Sequence, residues 1–81
     1  MSTSEIARAV QDAIVAILPH VERVQIRGEQ NLKDLGADSI ERIEIILNIK
    51  RRLGVDEPLA RFSSIKNIAA LVEFLGEARG A

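Results

Sequence analysis

Cysteine is absent from this chain of 81 residues, which removes both a disulfide framework and a thiolate metal site. A single histidine, His20, leaves a zinc cage without its usual nitrogen ligands. Tryptophan and tyrosine are also missing and phenylalanine occurs only twice, so any core must be built from Ile, Leu, Val and Ala. Neither sign of charge is in excess: 11 Lys and Arg stand against 12 Asp and Glu, for a net charge of −1. That balance offers no electrostatic footing for nucleic acid, which calls for a strongly basic surface. No apolar run approaches the roughly 20 residues of a membrane span. Nor do the first residues combine a basic stretch with an apolar one in the manner of a signal peptide. The expectation is a soluble cytoplasmic protein, monomeric, with no nucleic-acid or membrane partner, folded as one domain over residues 1–81.

What is present is helical period. Ser2 and Glu5 fit a capping box, and Ile6, Val10, Ile14 and Ile17 or Leu18 follow at helical spacing, predicting a first helix from residue 3 or 4 to Leu18. Pro19 disfavours helical geometry in the residue before it and closes the element. His20, just beyond, reads as a polar loop residue. Residues 19–38 show no sustained period. A loop of that length needs pinning, and Val21, Val24, Ile26, Leu32 and Leu35 are the candidate anchors, with one helical turn near residues 30–35 and bends at Gly28 and Gly36. Val24 and Ile26 alternate like a strand, but nothing else in the chain offers a pairing partner.

A second helix is predicted to start with Asp38 or Ser39 as its cap and to run to Leu53, with Gly54 beyond it and Lys50, Arg51 and Arg52 at the dipole's negative end. At 100° per residue, Ile45, Ile46, Ile49 and Leu53 form one apolar stripe and Ile40, Ile43 and Leu47 another. Glu41, Glu44, Asn48 and Arg51 occupy the remaining face. Two stripes mean either burial on both sides or an exposed docking patch, and periodicity does not say which stripe faces inward. Pro58 can open a short third helix with Leu59 and Phe62 pointing inward. Ser63 or Ser64 can cap a last helix through Ile65, Ile68, Leu71, Val72 and Leu75 that ends near Gly76, leaving a frayed tail over residues 77–81. The fold class is therefore all-α: a small four-helix bundle of three main helices and one short one, with a long ordered loop between the first two.

Enzyme chemistry is poorly provided for. A catalytic triad needs a histidine beside the nucleophile, and His20 sits at the far end of the loop from Ser39. Glu41 and Glu44 read as solvated charges, and no glycine-rich phosphate loop occurs. Taken alone, Ser39 reads as a helix cap. Its setting adds a second reading. It opens a helix with an extra apolar stripe, after a glycine-containing turn. A phosphodiester on its hydroxyl would meet the free N–H groups and positive dipole end of that helix. Asp38 is less suited to a neighbouring phosphate and reads as a recognition or metal-assisting contact during attachment.

Those residues carry a resemblance. Leu35-Gly36-Ala37-Asp38-Ser39-Ile40 resembles the Leu-Gly-x-Asp-Ser-Leu signature of acyl carrier proteins, and the helix order, long first loop and Phe62-Ser63-Ser64-Ile65 stretch extend the likeness across the whole chain. The resemblance implies a carrier rather than an enzyme. Ser39 would receive 4′-phosphopantetheine from coenzyme A through a phosphopantetheinyl transferase, and acyl groups would ride as thioesters on the arm's thiol. It further implies that Asp38, Ile40, Glu41, Ile43, Glu44 and Leu47 meet partner enzymes and that Ile45, Ile46 and Ile49 face inward. The implied partners are an acyltransferase and a ketosynthase or a hydroxymethylglutaryl-synthase-like enzyme.

Two departures refine the likeness. Ile40 replaces the usual Leu, and the second helix is less acidic than in fatty-acid carriers, with Arg42 one turn from the serine. A free-standing carrier of polyketide or related specialised metabolism fits better. The run from Gly36 to Glu44, with Lys66-Asn67-Ile68, is similar to discrete carriers of β-branching cassettes, which present an acetyl or malonyl unit. The competing readings are a fatty-acid carrier, a peptidyl or D-alanyl carrier loaded by an adenylating enzyme, an unmodified helical interaction domain in which Ser39 merely caps, and a small hydrolase using Ser39, which lacks a nearby base.

Overall fold

The structure, a computed structural model, describes residues 2–80. It builds three α-helices, α1 (Thr3–Ile17), α2 (Ser39–Leu53) and α3 (Ile68–Gly80), with 3₁₀ turns at Arg23–Gln25 and Leu59–Phe62. No strand occurs among the described residues, so the chain is all-α, its short third element being the second 3₁₀ turn.

α1 is the helix on which both others pack. Its capping box forms as expected: the Glu5 N–H donates to the Ser2 hydroxyl at 3.2 Å and the Ser2 N–H donates to the Glu5 carboxylate at 3.1 Å. Ile6, Val10, Ala13 and Ile14 then bury one face, and the Leu18 N–H closes the helix on the Ile14 carbonyl at 2.7 Å before Pro19. α2 contributes Ile45, Ile49 and Leu53 to the same core. It ends at Gly54, whose φ of +65° turns the chain so that the N–H of buried Val55 reaches back to the Lys50 carbonyl at 3.0 Å.

Four local expectations need correction. The last helix does not start at Ser63 or Ser64: the Ser63 hydroxyl donates instead to the Ala60 carbonyl, and α3 begins at Ile68 with the Asn67 side chain accepting from the Ala70 N–H at 2.8 Å. The reason is tertiary. The Ile68 and Ala69 N–H groups donate to the carbonyls of Gln30 and Gly28 in the long loop, at 2.8 and 2.9 Å, so that loop supplies acceptors no local pattern announces. Gly76 does not end α3, which runs on through Glu77, Ala78 and Arg79. Gly76 sits where a Cβ would lie 3.7 Å from Ile6, an ordinary packing distance. The frayed tail is thus helical as far as Gly80, and Ala81 lies outside the described residues. Finally, Val24 is 85% exposed and Leu59 39% exposed, so neither is the inward anchor expected, whereas Val21, Leu35 and Phe62 are buried.

Gly28 bends the chain as expected, in a turn that the Gln30 N–H closes on the Arg27 carbonyl at 3.2 Å, and it has a second part as well. A Cβ there would stand 3.1 Å from that of Ala69, so the residue is small because loop and α3 touch.

Candidate functional site

The approach to Ser39 is held at every residue. Residues 32–36 form a turn in which the Leu35 and Gly36 N–H groups donate to the Leu32 and Lys33 carbonyls. Gly36 adopts a φ of +94°, open to glycine at little cost and strained for other residues. Buried Leu35 and Ala37 fasten the turn to the core on either side. The long loop closes on itself here: His20 places its Nε2 within 3.7 Å of where a Cβ on Gly36 would stand. No hydrogen bond joins His20 to Ser39 among the described residues.

Of the two candidate caps, Asp38 takes the position. Its carboxylate accepts from the Glu41 N–H at 2.7 Å, and the Glu41 carboxylate accepts from the Asp38 N–H at 3.0 Å, a reciprocal box that fixes the helix start. Both carboxylates are therefore occupied in holding α2. Ser39 becomes the first helical residue, exposed, its hydroxyl in no hydrogen bond among the described residues. It stands at the end of a 15-residue helix whose leading N–H groups carry partial positive charge.

The two stripes of α2 separate cleanly. Ile45 and Ile49 are wholly buried and Ile46 packs against the core, while Ile40 is 69% and Ile43 48% exposed, with Leu47 also open to solvent. Glu44 lies exposed beside them. The second stripe is a surface patch, not a second core face. Beside it a groove of about 510 Å³ opens between α2, the turn at 32–36 and residues 59–66, lined by Lys33, Ser39, Arg42, Ile43, Leu59 and Lys66 among others. No cluster of His, Asp or Glu able to hold a metal ion occurs among the described residues.

At the start of α2 the structure thus presents an exposed hydroxyl beside a groove and an exposed apolar patch. The comparisons with known proteins give the class of the chain. Residues 8–75 match the family model described as "Phosphopantetheine attachment site". The polyketide biosynthesis acyl-carrier-protein AcpK of Bacillus subtilis is 37% identical over 62 residues, 76% of each chain. An acyl carrier protein of Helicobacter pylori is 33% identical over 64 residues, 78% of this chain and 82% of that one. Another, of Amoebophilus asiaticus, is 38% identical over 73 residues, 89% and 90% of the two chains. No solved structure matches the chain. The chain belongs to the acyl carrier family: it is a carrier and not an enzyme, and its cofactor is a covalently attached 4′-phosphopantetheine.

The residues present fit that group. Five serines and one threonine could bear it. Ser2, Thr3 and Ser4 precede the matched residues, and the hydroxyls of Ser2 and Ser63 are engaged in local bonds. Ser64 lies in a turn, whereas Ser39 alone of these opens a helix beside the groove. Membership also implies interaction with a phosphopantetheinyl transferase and with acyl-processing enzymes. Among the described residues no helix is long and apolar enough to cross a membrane.

Proposed function

We propose that residues 1–81 act as one carrier domain whose 4′-phosphopantetheine is joined to the Ser39 hydroxyl. The observation that carries this is that hydroxyl itself: unbonded among the described residues, exposed and at the positive end of α2, where an attached phosphodiester meets free N–H groups. The arm holds acyl groups as thioesters on its terminal thiol and passes them between enzymes. Ile40, Ile43 and Leu47, with Glu41 and Glu44 alongside, form the surface those enzymes engage, and Asp38 acts mainly by holding the helix start against which the transferase docks. The setting is the cytoplasm, where coenzyme A and its transferase meet, and the carrier works as a monomer.

Within the family, polyketide or related specialised metabolism fits best. The similarity to AcpK supports it, as does an α2 that mixes Arg42 with its acidic residues and closes on Lys50, Arg51 and Arg52. The processing partners are then an acyltransferase with a ketosynthase, or a hydroxymethylglutaryl-synthase-like enzyme.

Intact mass after incubation with coenzyme A and a broad-specificity phosphopantetheinyl transferase tests the attachment. The wild-type chain is expected to gain one phosphopantetheinyl group and Ser39→Ala none. Modification of Ser39→Ala, or none in folded wild-type protein with several transferases, overturns the assignment.

A further inference from the structure

The first four N–H groups of α3 are all bonded, but their partners come from two places. Asn67, just before the helix, serves two of them: its side chain accepts from Ala70 at 2.8 Å and its carbonyl from Leu71 at 3.0 Å. The long loop serves the others, its Gln30 and Gly28 carbonyls accepting from Ile68 and Ala69 at 2.8 and 2.9 Å. That part of the loop consists of two turns, each closed on itself. In the first, the Gln25 and Ile26 N–H groups donate to the Glu22 and Arg23 carbonyls, and the Gln25 side chain accepts from the Glu22 N–H. In the second, the Gln30 N–H donates to the Arg27 carbonyl, and the Gln30 side chain accepts from the Arg27 N–H. Arg23 fastens the first turn to α1, its guanidinium 2.5 Å from the Asp12 carboxylate, which Arg52 of α2 approaches more loosely at 4.0 Å. Residues 22–30 therefore tie α1 to the start of α3. The start of α2 uses none of these bonds: Asn31 and Asp34 cap each other in the turn before it, and Asp38 and Glu41 cap the helix.

We propose that residues 22–30 and the first turn of α3 form a single strap that opens and closes as a unit, latched at Asp12, while the start of α2 stays in place. The Ile68 and Ala69 N–H groups have no acceptor in their own helix. The loop cannot lift from α3 without leaving both unbonded, and for buried Ile68 that state is costly unless the turn opens with the loop. The turns of the strap are held by few apolar contacts. Arg23, Val24 and Gln25 are exposed and the latch is a half-exposed ion pair, whereas Val10 and Ile14 of α1 are wholly buried. Segments of the first kind are where local opening begins. Ile68 also lines a small pocket with Leu32, Ile46 and Phe62, so movement of the strap alters that pocket and leaves the capping box around Ser39 intact. The device is independent of what Ser39 carries.

Native-state amide hydrogen exchange of the whole chain, followed by NMR at rising sub-denaturing urea, tests it. The amides of Ile26, Gln30, Ile68 and Ala69 are expected to share one protection factor, below that of Ile14, and to follow one urea dependence. The Arg42 amide, bonded to the Asp38 carbonyl, is expected to stay off that dependence. Arg23→Gln, an exposed substitution, should lower the shared factor about two- to fivefold at all four amides, the scale of a surface ion pair. Asp12→Asn, made from the α1 side, should act alike. A loss confined to Ile26 and Gln30 would mean that loop and helix open separately, and it overturns the proposal. Protection of Ile68 and Ala69 equal to that of Ile14 does so too, since those amides would then open only with the whole molecule. An Arg42 amide that joins the shared urea dependence, or no change at any of the four in either variant, is equally decisive against it.

Discussion

Ser39 can keep its hydroxyl free because Asp38, one residue earlier, does the capping. A serine that was itself the cap would have its oxygen turned back to the helix N–H groups, where a transferase could not take it up without unravelling the first turn. The division of labour makes the two substitutions separable. Ser39→Ala removes a side chain bonded to nothing among the described residues, so stability should change by no more than about 0.5 kcal/mol while the mass gain disappears. Asp38→Ala removes a true cap and should cost about 0.5–2 kcal/mol, read as a lower urea midpoint at unchanged slope. Asp38→Asn should restore most of that stability, since the amide oxygen caps nearly as well. Modification kinetics of the Asn variant then report the carboxylate's own part in recognition, stripped of its structural part. A Ser39→Ala protein as unstable as Asp38→Ala would mean that the serine hydroxyl shares the cap.

At the scale of the element, α2 is one helix with two apolar stripes of opposite fate. Ile49 is wholly buried and Ile43 nearly half exposed, yet by sequence both are isoleucines of one amphipathic run. Ile49→Ala should cost about 2–5 kcal/mol in unfolding, the range for emptying a packed site. Ile43→Ala should leave unfolding within about 0.5 kcal/mol but raise the transferase's KM, because what it trims is a contact surface. A large loss of stability for Ile43→Ala would place it in the core and dissolve the docking patch. The same helix shows what a sequence can and cannot announce. α1 and α2 were readable, limits included, because each is capped by its own neighbours: Ser2 with Glu5, Asp38 with Glu41, Gly54 at the end. α3 was not, because its first N–H groups bond to Gly28 and Gln30, far back in the long loop. Its apolar period runs on unbroken through Ile65, and the one local mark of the true start, Asn67 accepting from the Ala70 N–H, stands behind two serines, Ser63 and Ser64, that look equally able to cap. The exposed Leu59 and Val24 escaped for a related reason: in a loop, no period ties a side chain to a face. The helix start at Asp38 and Ser39 and the shared face of Ile40, Ile43 and Leu47 were legible from capping residues and helical spacing, whereas the groove beside them exists only once the turn at 32–36 and residues 59–66 are brought against α2.

For the whole molecule, the absence of cysteine and of a metal cluster among the described residues leaves folding to an aliphatic core centred on α1, so the cap that starts α1 has consequences beyond its own turn. Glu5 links that cap to pH. The backbone N–H of Ser2, and secondarily its hydroxyl, hold the Glu5 carboxyl below its ordinary value of 4.5. The unfolded chain therefore takes up this proton first as the medium becomes acid. The stabilisation is whole above pH 4.5 and is lost as pH falls through the lower folded-state value, and raising the pH from neutrality leaves it untouched. Glu5→Gln preserves a side chain able to complete the capping box while removing the titrating group. Urea midpoints of the two proteins should thus differ by a constant amount from neutral pH down to about 4.5, with wild type the more stable, and should converge below it. A gap that persists unchanged into strong acid would show that the substituted amide fails to form the box at all, and that the neutral hydrogen bond, not the charge, is what Glu5 supplies.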